Sequence, residues 1–191
     1  MRYQPDHKAA TRARILSVAG ELFRGLGIER SSVQRIMGAA GLTVGGFYAH
    51  FASRETLIAA AIGEALRRSR GRLLEGLLER SGAPFVDAIA RRYLSRRYRD
   101  ELEASCVLPA TLSELGRAGP QAREAVGREL ETLIEDLAQR VPGASAAQRR
   151  LRSIALVALS VGGLSLARAV GGSPLSDEIL RACRSAARAG S

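Results

Sequence analysis

The sequence predicts an all-α protein of about nine helices, and three observations predict it. Apolar residues recur at spacings of three and four along nearly the whole chain. Strand-like alternation is almost absent, and Gly/Pro clusters at 116–120, 142–143 and 171–174 punctuate the helical stretches. There is no internal repeat and no low-complexity tract.

The first helix is expected over about 8–26, with Ile15, Val18, Ala19, Leu22, Phe23 and Leu26 as its apolar stripe and Gly25 and Gly27 at its end. Ser31 or Ser32 then caps a helix of barely two turns that turns Val33, Ile36, Met37 and Ala40 inward and stops at Gly41. After the turn Gly41-Leu42-Thr43 comes a second short helix, with Val44, Phe47 and Phe51 on its inner face. Ser53 caps a long helix reading to Arg80, broken by Gly82, Ala83 and Pro84. Further helices are expected at about 84–99, 104–116, 120–141, 146–170 and 175–188.

With 191 residues, 46% of them apolar, the chain can bury a genuine core. Its net charge of +10 favours a polyanionic partner. Residues 1–70 carry 11 Lys+Arg against 5 Asp+Glu and the remainder 18 against 14, so the positive density sits at the N-terminus. Lys8 is the only lysine. The arginine bias suits bidentate phosphate contact, and it equally follows from a GC-rich genome. Cys106 and Cys183 have neither disulfide-framework nor zinc spacing, which fits a reducing cytoplasm. The first residues lack the apolar core of a signal peptide. The apolar window 154–170 is at the short limit for a membrane span and reads as a buried helix, with no membrane partner. His7 and His50 are the two histidines, no carboxylate cluster has metal spacing, and no phosphate loop follows a strand, so neither catalysis nor a cofactor is expected.

Two short helices joined by a tight turn and preceded by a longer one form a helix-turn-helix, whose second helix enters the DNA major groove. Its outward face carries Thr43, Gly45, Gly46, Tyr48, Ala49 and His50. Adjacent glycines weaken a helix by about 2 kcal/mol together. The gain is a bare backbone that can approach bases or phosphates closely. Residues 1–52 are therefore expected to form a DNA-binding domain, followed by a second helical domain over 53–191. Arg2, Lys8, Arg12 and Arg14 read either as an arm reaching the DNA or as a solvated terminus.

The segments GLTVGGFYAHFASRETL and ILSVAGELFRGLGIERSSVQRIMGAAG resemble the DNA-binding domain of the tetracycline-repressor (TetR) family of bacterial transcription regulators, over about residues 8–62. The resemblance implies a homodimer on a palindromic double-stranded operator, released by a small-molecule effector. It places Tyr48, His50 and Arg54 on phosphates, and Thr43, Val44, Gly45, Gly46 and Ala49 in the groove. Gln34 lies on the preceding helix within reach of a base, and Ser32 and Arg35 complete the DNA-binding set. Without the surrounding motif, His50 would read as an ordinary surface histidine. Many family members carry larger or polar residues where Gly45 and Ala49 stand, so shape readout should carry more of the specificity.

The resemblance also implies that 53–191 form an effector-binding and dimerisation domain, with dimerisation through the last two helices. Helix 151–170 is apolar nearly all round and so must be buried on most sides, while its small residues permit close helix contact. Leu156, Leu159, Gly163, Leu166, Ile179 and Cys183 are the candidate interface residues. Phe85, Tyr93, Cys106, Leu108, Thr111 and Leu112 are candidates for an effector pocket, with core packing the competing reading of each. RRYLSRRYR at 91–99 reads as a solvated charged face, or as a site favouring an acidic effector. A constitutive DNA-binding protein without effector, and a thiol sensor acting through Cys106, are the alternatives to a ligand-gated repressor.

Overall fold

A computed structural model describes residues 5–103 and 105–190. Among these the chain forms nine α-helices and one 3-10 helix, with no strand, as the all-α expectation requires. They are α1 (Pro5–Leu26), α2 (Val33–Ala39), the 3-10 helix (Val44–Ala49), α3 (Arg54–Leu74), α4 (Gly82–Tyr93), α5 (Arg96–Asp100), α6 (Leu108–Leu115), α7 (Pro120–Ala138), α8 (Ala146–Ala169) and α9 (Pro174–Ala189). The chain divides into two compact units, Met1–Arg68 with Cys106–Glu129, and Ser69–Ser105 with Leu130–Ser191.

In the first unit α1 packs against α2 and α6, and α2 against the 3-10 helix. Ile15, Ala19 and Phe23 of α1 are fully buried, together with Ile36, Met37, Phe47, Phe51, Leu57 and Ile62. Each large side chain contributes about 1.5–3 kcal/mol by leaving water. Residues 106–129 join this unit through a specific clasp. The Glu114 carboxylate of α6 accepts from the backbone N–H of Ile28 and, at 3.0 Å, from that of Glu29. Arg117 pairs with Glu29 at 2.9 Å. Gly27, at φ 81°, lies under that carboxylate, and a Cβ there would run into it. The expected boundary at 52/53 therefore falls inside this unit.

In the second unit α8 packs along α9, and α4 packs on both. Phe85, Ile89, Ala90, Leu94, Leu156, Leu164, Ala167 and Leu180 are buried in its core. A Cβ at Gly163 would sit 2.6 Å from the Cys183 sulfur and 3.1 Å from a Leu94 methyl, so this glycine lets α8 and α9 close together.

Several helix ends differ from the sequence reading. The helix expected to reach Arg80 stops at Leu74. Gly76 turns at φ 67°, and Arg92 donates to the carbonyls of Arg72, Leu73 and Glu75 at 2.8–3.0 Å, supplying partners at the helix end. The helix expected over 84–99 is two helices. The Ser95 hydroxyl accepts from the Tyr98 N–H at 3.1 Å and donates to the Arg92 carbonyl at 3.0 Å, capping a new helix inside the arginine-rich run. Those arginines are bound within the unit: Arg96 and Arg99 pair with Asp177, and Arg99 also reaches the Ser176 hydroxyl at 2.7 Å.

Helix α8 is long and apolar enough to cross a membrane by length and composition alone, yet only 39% of its most apolar window is buried. It was expected to be buried on most sides. Instead the face carrying Leu156, Ser160, Val161, Gly163, Leu164 and Ala167 is covered, while Leu151, Ile154, Ala155, Ala158, Gly162, Leu166 and Val170 are exposed.

Candidate nucleic-acid interface

The site is built from a cap, a turn and a short helix. Ser32 caps α2 by accepting from the Arg35 N–H at 3.2 Å. At the other end the Gly41 N–H bonds the Gly38 carbonyl and the Leu42 N–H the Met37 carbonyl, each at 2.9 Å. That pair, with Gly41 at φ 67°, is a Schellman termination, and it fixes the direction in which the chain leaves α2. Thr43 is extended, and residues 44–49 wind as a 3-10 helix rather than the expected α-helix. Two successive glycines remove the propensity that would favour the α form.

Phe47 anchors this helix at 2% exposure, its ring 5.7 Å from Phe51 and edge-on to Tyr48 at 5.2 Å. Val44 departs from the expected inner face: it is 45% exposed, because it opens the helix where the chain emerges from the turn. Thr43, Gly45 and Ala49 are exposed too, Gly46 and His50 are half-buried, and Tyr48 is 74% exposed. A Cβ at Gly45 would meet nothing within 4 Å, and at Gly46 only the Thr43 hydroxyl at 3.9 Å. Neither glycine is required by packing within the chain. On α2, Ser32, Gln34 and Arg35 are exposed.

Helix α3 begins with a reciprocal cap, in which the Ser53 N–H donates to the Thr56 hydroxyl at 2.9 Å and the Thr56 N–H to the Ser53 hydroxyl at 3.2 Å. Arg54 is half-buried and donates to the Ile28 carbonyl at 2.8 Å, so it braces the α1–α2 turn with its guanidinium. Lys8, Arg12 and Arg14 belong to helix α1 rather than to an extended arm. Arg2 lies outside the described residues. The Arg12 guanidinium stands 4.9 Å over the Phe51 ring. The His50 Nδ1 atom is buried without a hydrogen-bond partner. Burial, then the nearby Lys8, Arg12 and His7, hold the His50 imidazole below its ordinary pKa.

The other predicted residues fall into two groups. Phe85 and Tyr93 are core residues of α4 in the second unit. In the first unit Cys106, Leu108 and Thr111 are buried, the Thr111 hydroxyl donates to the Val107 carbonyl at 3.0 Å, and Leu112 is 49% exposed. None of the six lines the cleft of about 100 Å³ in the second unit, which is bordered by Val86, Val141, Pro142, Leu156, Leu159 and Ala187. Of the interface candidates, Leu156 and Gly163 are consumed inside the chain, Leu159, Ile179 and Cys183 are half-buried, and Leu166 is exposed. Burial pushes the Cys183 thiol up, away from reactivity. Glu114 was not foreseen: its partners lie more than eighty residues earlier, and no local pattern marks it.

The pattern described as "Bacterial regulatory proteins, tetR family" matches residues 15–61, covering α1 from its buried stripe through the first turns of α3. The HTH-type transcriptional regulator UidR of Escherichia coli K12 is 30% identical over 131 residues, 69% of this chain and 64% of UidR. This chain therefore spans 64% of the length of that relative. A TetR transcriptional regulator from Chloroflexus aurantiacus superposes over 96% of this chain and 95% of its own, with a TM-score of 0.77 and 25% identity. E. coli NemR in its reduced form shares the fold at 19% identity, with a TM-score of 0.74 over 93% of this chain and 95% of its own. The match over residues 15–61, with the shared fold, assigns the helix-turn-helix segment to the tetracycline-repressor (TetR) family of transcriptional regulators.

Proposed function

We propose that the protein is a dimeric, ligand-responsive repressor that reads a palindromic operator with its 3-10 helix. One observation carries this reading. In the strip formed by Thr43, Val44, Gly45, Gly46 and Ala49 all but the half-buried Gly46 are exposed, its middle carries no side chain, the chain's own packing does not require either glycine, and Phe47 and Phe51 anchor it from behind. Such a strip lets backbone approach base edges, while Tyr48 and His50 beside it, with Lys8 and Arg12 on α1, face phosphates. Gln34 is exposed on α2 for a bidentate contact to adenine, and Ser32, Arg35 and the brace Arg54 complete the contact set.

The second copy is inferred from the uncovered face of α8. Leu151, Ala155, Ala158, Gly162 and Leu166 follow one another at spacings of three and four, and Leu175 and Ala182 extend the apolar surface onto α9. A symmetric four-helix contact buries this face and sets two reading heads at a fixed separation. Gating then needs an effector with different affinities for two states. Helix α6 is suited to transmit it, because Glu114 holds the two amides of the α1–α2 turn directly. The test is retardation of DNA flanking the chain's own gene, followed by thermal-shift screening of small molecules. Retardation by a dimer, relieved by a compound that shifts the melting point, supports the reading. No retardation at low salt overturns it, and retardation that no compound relieves favours constitutive binding. Cys106, 5% exposed, is poorly placed for a thiol sensor, and relief by electrophiles that vanishes in Cys106→Ser would reverse that judgement.

A further inference from the structure

The helix that faces DNA in the reading above ends in a group that the reading leaves unexplained. The His50 imidazole is half-buried, and its Nδ1 is sealed from solvent with no hydrogen-bond partner. The charged and titratable groups that bear on it come from α1, namely Lys8, Arg12 and His7. Tyr48 stands two residues before it on the same short helix, and Arg54 and Glu55 open α3 just beyond it. With one nitrogen already desolvated and Lys8 and Arg12 close by, a further positive charge is disfavoured, so the surroundings favour the neutral imidazole in the free protein.

Duplex DNA changes that balance. A phosphate settling among these groups neutralises the local field and offers acceptor oxygens to an imidazolium. We propose that operator binding takes up a proton from solvent at His50, so that affinity for DNA rises as pH falls. The inference rests on the DNA-binding reading and adds to it a linked proton. The sign follows from linkage: if the bound state holds the proton more tightly than the free state, lowering pH through the interval between the two titrations favours the bound state. One linked proton sets a limiting slope of about one decade in affinity per pH unit.

The experiment uses the full chain and a nonspecific duplex at low salt, since phosphate contacts are indifferent to sequence. Fluorescence anisotropy between about pH 6 and pH 8, the range in which histidine titrates, is compared for wild type, His50→Gln and His7→Gln at constant ionic strength. The expected result is tighter wild-type binding at lower pH, a slope lost in His50→Gln and kept in His7→Gln. NMR titration of the wild-type His50 ring should show its midpoint rise on adding duplex. Binding that is pH-independent, a slope that survives His50→Gln, or an unmoved midpoint overturns the proton linkage while leaving DNA binding intact. Absence of binding at every pH overturns the DNA-binding reading, and this inference with it.

Discussion

Replacing Gly45 by alanine should make the protein more stable and a worse DNA binder. A Cβ at this position meets no atom within 4 Å, and the residue is not in the left-handed region, so the methyl enters without strain. What changes in the free protein is the freedom of the unfolded chain, which alanine reduces by about 0.4–1 kcal/mol in favour of folding. For a chain of this size that corresponds to a melting temperature higher by about 1–4 °C. In the complex the same methyl stands between the backbone of the 3-10 helix and the groove. Pushing that helix outward loses about one good base or phosphate contact, of about 1–3 kcal/mol. Affinity should then fall by about tenfold to a hundredfold. The assays are thermal unfolding by circular dichroism and operator titration by anisotropy, on the same preparation. A variant that is less stable would show that the glycine serves the fold. A variant that binds as tightly as wild type would refute the close approach of this backbone to DNA.

Three further outcomes are expected. Glu114→Gln should weaken the charge-assisted bonds to the Ile28 and Glu29 amides, costing about 1–2 kcal/mol and speeding hydrogen exchange at those two amides relative to the amides of α1. Leu166→Glu, on the uncovered face of α8, should leave the helical circular dichroism spectrum unchanged and turn the dimer into a monomer in sedimentation velocity. Lys8→Gln and Arg12→Gln should each lower the slope of log affinity against log salt by about 0.9, and unchanged slopes would remove both from the phosphate contacts.

The parts of the molecule legible from sequence are those whose determinants are local. The period of three and four in Ile15, Ala19 and Phe23 marks a buried stripe, Ser32 marks a helix start, and Gly41 marks a stop; all three act within one or two turns. Phe47 and Phe51 were placed correctly for the same reason. Val44 was misplaced because periodicity assumes that neighbouring turns cover every inner position, and the first residue of a six-residue helix has no preceding turn. The end of α3 was illegible because apolar spacing continues past Leu74, while the stop depends on Gly76 and on the Arg92 guanidinium, donated from α4. Glu114 was hidden for a like reason, since a carboxylate on an exposed helical turn looks solvated until the fold brings the α1–α2 amides to it. The half-open state of α8 could not be read from composition either. A helix covered by its own chain on one face only can carry the same apolar residues as one buried wholly inside a single chain.

The most direct measurement is a hydroxyl-radical footprint of the purified protein on DNA from beside its own gene. Two bare-backbone heads related by a two-fold axis should protect two equivalent patches about 34 Å apart or a multiple of it, with both patches lost together in Leu166→Glu at the same protein concentration. A single patch, protection without dyad symmetry, or a footprint indifferent to Leu166→Glu would contradict a paired groove reader.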